Sequence, residues 1–130
     1  MARVDEPADG VVRITIPLAL RSPDHISCYV LRLADGDLLV DTGMCGSERA
    51  LEAGLRRAGI SPDRVLVTHG HIDHWGLATR YTDTVLAHPA CRSSFGFAAD
   101  VGDAAAAGGA DGLLDRARME RVFARYRSMV

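Results

Sequence analysis

Apolar and polar positions alternate along the first third of the chain and then change period. Val11 to Ile16 alternates with a period of two, as a strand with one buried face does. Arg21 to Asp24 reads as a turn. Ile26 to Leu33 predicts a second strand, and both of its alternating sets are apolar: Ile26, Cys28 and Val30 on one, Tyr29, Leu31 and Leu33 on the other. Asp35-Gly36-Asp37 predicts a hairpin turn, and Leu38 to Asp41 a third strand that ends in Thr42-Gly43. Ser47 then stands where a helix cap belongs. Leu51 and Leu55 fall at i and i+4, and Gly59 lies just past the end, so the spacing predicts a helix to about Arg57. Ser61-Pro62-Asp63 opens a β-branched and apolar run, Arg64 to Thr68, which reads as a buried strand. A short helix near Trp75 to Arg80 and a fifth strand at Thr84 to Ala87 follow.

The two ends of the chain carry weaker patterns. Met1 to Gly10 is polar and acidic and predicts no element. Residues 98–112, rich in Ala and Gly, have almost nothing to bury and read as a loop or linker. Asp111 or Asp115 can start a final amphipathic helix over 113–130. Met119, Val122, Phe123 and Tyr126 form its apolar stripe, and its arginines form a solvated basic face. The division is therefore 11–97, 98–112 and 113–130.

Composition narrows the class. A chain of 130 residues fits one domain with a modest core, and 48% hydrophobic with 25% charged residues is ordinary for a globular protein. A formal net charge of -2 gives no electrostatic reason to expect nucleic acid. Every basic residue is arginine; Lys, Asn and Gln are absent. Cys28, Cys45 and Cys91 are odd in number and far apart, which argues against a disulfide framework and for a reducing compartment. There is no signal-peptide core and no apolar run of membrane length, so the expected location is cytoplasmic, with no membrane partner.

The chemistry is concentrated in His69-Gly70-His71-Ile72-Asp73-His74. With five histidines in the chain, a chance His-x-His-x-Asp-His is expected roughly 0.001 times. Imidazole and carboxylate are ligands for first-row metals. In an extended segment His69 and His71 point to the same side and can share one ion. Asp73 and His74 lie just beyond and reach a second ion if the chain turns. The ligands follow the C-terminal end of a strand, where open α/β sheets hold their binding sites.

Thr68-His69-Gly70-His71-Ile72-Asp73-His74-Trp75-Gly76, with Leu39-Val40-Asp41-Thr42-Gly43 upstream, resembles the metallo-β-lactamase superfamily of metallohydrolases. The resemblance runs from about Val11 to Pro89. It implies an α/β (α+β) chain forming part of an αββα sandwich: one mixed sheet with flanking helices. It also implies His69 and His71 on a first metal, Asp73 and His74 on a second, and Asp41 as a supporting aspartate. The implied activity is zinc-dependent hydrolysis of an ester, thioester, lactone or amide by a metal-bound hydroxide, with up to two Zn2+ ions. Asp73 then has the catalytic role of orienting the nucleophile on a small-molecule substrate.

Two departures qualify the match. Leu77 follows Gly76 where the family often has a second glycine. More seriously, the family completes its site with a later histidine, a bridging aspartate and a final histidine, whereas this chain has only His88 after His74. His88-Pro89 after a strand usually has no ligand role in the family. The expectation is a truncated, inactive N-terminal half, which self-associates through the sheet face left exposed. Two alternatives stand beside it: a non-catalytic metal- or partner-binding protein, and an iron-dependent thiol or persulfide oxygenase of the same superfamily.

Overall fold

The computed structural model describes residues 1–18, 20–94 and 114–115. Seven strands form one mixed sheet in sequence order: β1 (Arg3–Ala8), β2 (Val11–Pro17), β3 (His25–Leu33), β4 (Gly36–Val40), β5 (Arg64–Val67), β6 (Thr84–Ala87) and β7 (Leu114–Asp115). The pairs from β1 to β4 are antiparallel, β4–β5–β6 is parallel, and β7 returns antiparallel. Helix α1 (Glu48–Ala58) makes the crossover from β4 to β5. A single turn, α2 (Ile72–Trp75), and a 3-10 turn (Ala78–Arg80) make the crossover from β5 to β6. Because β4 and β5 run parallel, their C-terminal ends lie side by side. The loops that leave them are therefore neighbours.

One face of the sheet forms the core. Ile14, Ile16, Cys28, Val30, Leu39, Val65, Val67 and Val85 are fully or nearly fully buried there, and Leu51 and Leu55 of α1 join the same apolar cluster. Burying each of these leucines stabilises the fold by about 1.5–3 kcal/mol. Burial drives the Cys28 thiol well above its usual pKa range, so it is a core residue rather than a nucleophile. The opposite face carries Tyr29, Leu31, Leu38, Val40 and Leu66, which are half-buried, and Leu86, which is exposed. Leu33, at the end of the same set, is 44% exposed. Both alternating sets of β3 are thus apolar, but only one is sequestered.

Several elements differ from the sequence expectation. The acidic N-terminus forms the edge strand β1. Ala2 is buried, Val4 packs on the core, and Arg13 holds Asp5 through both carboxylate oxygens, keeping its carboxyl below the usual range. The folded unit therefore begins well before residue 11. The hairpin turn is Ala34-Asp35, because Gly36 already pairs with Leu33. Ser47 occupies the N-cap position, but its hydroxyl donates to the Pro17 carbonyl at 2.8 Å and caps nothing. Buried beside β2, it ties the helix start to the sheet. The helix expected near Trp75 begins earlier, at Ile72, inside the histidine motif. Leu114 and Asp115 are extended against Val85 and Thr84, so they are not the first turn of a terminal helix. The expected linker at 98–112 and the stripe Met119, Val122, Phe123 and Tyr126 lie outside the described residues. Among the described residues no helix is long and apolar enough to cross a membrane.

Two glycines let the site loops approach. Gly43 has φ 81°, and a Cβ there would meet Ile16 Cδ1 at 2.7 Å. Gly76 has no unusual dihedral, but a Cβ there would lie 2.7 Å from Met44 Cα and 2.8 Å from the Gly43 and Ile72 carbonyl oxygens. All three obstacles at Gly76 are backbone and cannot swing aside. Gly76→Ala should therefore cost about 1–3 kcal/mol through overpacking. Urea denaturation of both chains would read it, and a loss below about 0.5 kcal/mol would mean that the two loops part more easily than this packing implies.

Candidate metal centre

The site is built on the C-terminal ends of β4 and β5. At the end of β4 the chain turns at Asp41, whose φ of 62° lies in the left-handed region. Among residues other than glycine, Asp and Asn enter this region most readily. The Asp41 N–H still donates to the Leu66 carbonyl at 2.9 Å, so the ladder to β5 continues through the turn. Its side chain points inward and is 7% exposed.

A buried carboxylate needs donors, and Asp41 has three. The Thr68 N–H donates to Oδ1 at 2.9 Å. The Thr68 hydroxyl and His74 Nδ1 both reach Oδ2 at 2.7 Å. An ionised carboxylate can only accept, so Nδ1 of His74 carries a proton, and in the neutral ring the Nε2 lone pair is then free. A metal-binding histidine is commonly held in this way, with the far nitrogen on a carboxylate.

The motif loop is held from below as well. Thr42 N–H donates to the His74 carbonyl at 2.8 Å, and Leu77 N–H donates to the Thr42 hydroxyl at 3.1 Å. Trp75 is buried, and its indole N–H donates to the Gly70 carbonyl at 2.9 Å. These bonds curl residues 69–74 into a compact turn. His71 is extended (φ -72°, ψ 137°) and starts α2. The turn begins immediately after it, which carries Asp73 and His74 round beside the other two histidines.

The structure brings all four motif residues together. The His69 ring lies 3.9 Å from that of His74 and 4.8 Å from that of His71, centroid to centroid. His74 Nε2 is 3.6 Å from Asp73 Oδ2. Two donors at about 2.0–2.2 Å from a tetrahedral zinc lie about 3.3–3.6 Å apart, so the spacing of Asp73 and His74 is compatible with a shared ion. As the side chains stand, no group of three or more His, Cys, Asp or Glu among the described residues is arranged to hold an ion. The imidazoles pack on one another, and a bound cation would have to part them.

His88 stands apart at the end of β6, exposed, with Nδ1 accepting from the Ala90 N–H at 3.1 Å. Cys45 is half-buried beyond the Asp-Thr-Gly turn, and all three cysteines are free thiols. Thr42, Thr68 and Trp75 position the loop, although sequence spacing gave them no role. The available signal was a hydroxyl residue at each strand end beside the candidate ligands.

Residues 21–105, more than half of the chain, match the family model described as the metallo-beta-lactamase superfamily. No curated protein matches significantly. Among solved structures, a metallo-beta-lactamase family protein from Thermus thermophilus is 28% identical, with a TM-score of 0.53 over 58% of this chain and 27% of its own. A metallo-beta-lactamase from Hirschia baltica is 16% identical, with a TM-score of 0.54 over 70% of this chain and 45% of that one. FIM-1 from Pseudomonas aeruginosa, in its mono-zinc form, is 17% identical, with a TM-score of 0.54 over 70% and 43%. The last two likenesses concern the fold alone. This chain spans less than half the length of each of the three. With a family match over most of the described sheet, and His-x-His-x-Asp-His at the end of β5, the chain belongs to the metallo-beta-lactamase superfamily.

Proposed function

We propose that the chain supplies the first half of a zinc site for a hydrolase acting on an ester, thioester, lactone or amide. The observation that carries this reading is the set of four motif side chains gathered on one turn, with Asp41 behind them holding His74 by Nδ1 at 2.7 Å. His69 and His71 would hold one ion, and Asp73 and His74 the other. Zinc is chosen because nitrogen and carboxylate donors suit it. When bound, zinc supplies Lewis acidity and lowers the pKa of its bound water to about 7. The chain's own residues do the rest. Asp41 fixes the His74 ring, Trp75 and Thr42 fix the backbone, and Asp73 orients the nucleophile.

Metal content is the first test. Each ion would have two protein ligands here, whereas a catalytic zinc usually has three. After dialysis, elemental analysis of the 130-residue chain should find substoichiometric zinc, reduced further in His71→Ala. Tight, stoichiometric metal that ignores this substitution would sink the assignment. The same measurement reads iron, so iron in place of zinc would favour the oxygenase alternative.

Turnover is the second test. The sequence has no histidine after His88, and a site misaligned by about 1 Å already loses about two orders of magnitude in rate. The 130-residue chain alone should show no zinc-dependent hydrolysis of simple thioesters, lactones or β-lactams. Turnover at ordinary enzyme rates, abolished by Asp73→Ala, would show instead that the site is complete without further residues.

A further inference from the structure

Thr68 is the least conspicuous polar residue of the site, yet its hydroxyl lies between two of the site's groups. Oγ1 is 2.7 Å from Asp41 Oδ2 and 2.9 Å from His69 Nδ1. A hydroxyl has one proton to give and two lone pairs with which to accept. The Asp41 carboxylate cannot donate, so the hydroxyl proton must point to Asp41. The contact to His69 is then a hydrogen bond only if Nδ1 of His69 carries the proton and Thr68 accepts. In the neutral ring, His69 is thereby left with a bare lone pair on Nε2.

We propose that Thr68 is a positioning residue that relays the Asp41 carboxylate to His69 and locks that imidazole in its Nδ1–H tautomer. Asp41 thus sets two rings at once, His74 directly and His69 through one hydroxyl. The two belong to different ions in the reading above, so a single carboxylate prepares both halves of the donor set. A neutral histidine free in water prefers the opposite tautomer, with the proton on Nε2 and that nitrogen closed to a metal. Thr68 also donates its own N–H to Asp41 Oδ1 at 2.9 Å. Its backbone and side chain therefore grip both carboxylate oxygens, and the hydroxyl has little freedom to turn away. The tautomer assignment rests on these hydrogen bonds. Only its use by a metal rests on the function proposed above.

The test is made on the full 130-residue chain, nitrogen-15 labelled and free of metal. Long-range proton–nitrogen correlation spectra at about pH 8, where imidazoles are largely neutral, report which ring nitrogen carries the proton. His69 and His74 should both be protonated at Nδ1. Thr68→Val removes the hydroxyl but keeps the shape. It should move His69 toward the Nε2–H form and leave His74 unchanged, and Thr68→Ser should restore the wild-type pattern. Zinc titrated alone should bind about tenfold more weakly to Thr68→Val and within about twofold of wild type to Thr68→Ser. A wild-type His69 protonated at Nε2, or a folded Thr68→Val with an unchanged His69, overturns the proposal. Should Thr68→Val not fold, the wild-type and Thr68→Ser spectra decide it alone. If the tautomers are as expected but zinc does not bind the wild type, the metal reading fails and the positioning role of Thr68 stands.

Discussion

The Asp41 carboxylate is the contact on which the site depends. It joins three pieces of chain that covalent structure leaves free: the end of β4, the end of β5 and the turn that carries His74. A carboxylate 7% exposed is costly to bury without donors, and three donors offset that cost only if all are in place. The position also makes two separate demands. Its backbone sits in the left-handed region, which favours Gly, Asn and Asp. Its side chain must accept at both oxygens. Glycine meets the first demand and fails the second, and asparagine turns one acceptor into a donor. Aspartate meets both.

The sheet explains why that carboxylate is where it is. Antiparallel pairing from β1 to β4 builds a broad apolar face, and the switch to parallel pairing at β4–β5 turns two strand ends the same way. Loops at such ends are free to carry polar groups because the strands beneath them are already satisfied. Helix α1 holds that face shut through Leu51 and Leu55, and Gly43 and Gly76 let the two loops touch.

Much of this was legible in the sequence because it rested on period and spacing. Strands β2 to β6 and helix α1 announce themselves by alternation or by i, i+4 leucines. The four motif residues are legible because their chemistry is rare at that spacing. The failures share a cause: they were decided by tertiary partners. Residues Arg3 to Ala8 became a strand because β2 offered an open edge, Val4 packed on the core and Asp5 met Arg13. Ser47 has cap chemistry but spends its hydroxyl on Pro17, a residue 30 positions away. Thr68 reads as the end of a strand, and only the fold places its hydroxyl between Asp41 and His69.

The place of β4 and β5 in the strand order carries a kinetic meaning. They are the fourth and fifth of seven strands, so each is hydrogen-bonded to a neighbour on both sides. Among the described residues the outermost strands are β1 and β7, and intervening strands separate them from β4 and β5 respectively. Local opening spreads inward from weakly held elements, and the centre of a sheet opens only near the free energy of global unfolding. The amides of Leu39, Val65 and Val67 should therefore be among the slowest to exchange with solvent. The histidine-rich turn is then a half-buried segment mounted on the most persistent part of the described sheet. Its side chains can change rotamer while the strands that carry it stay closed.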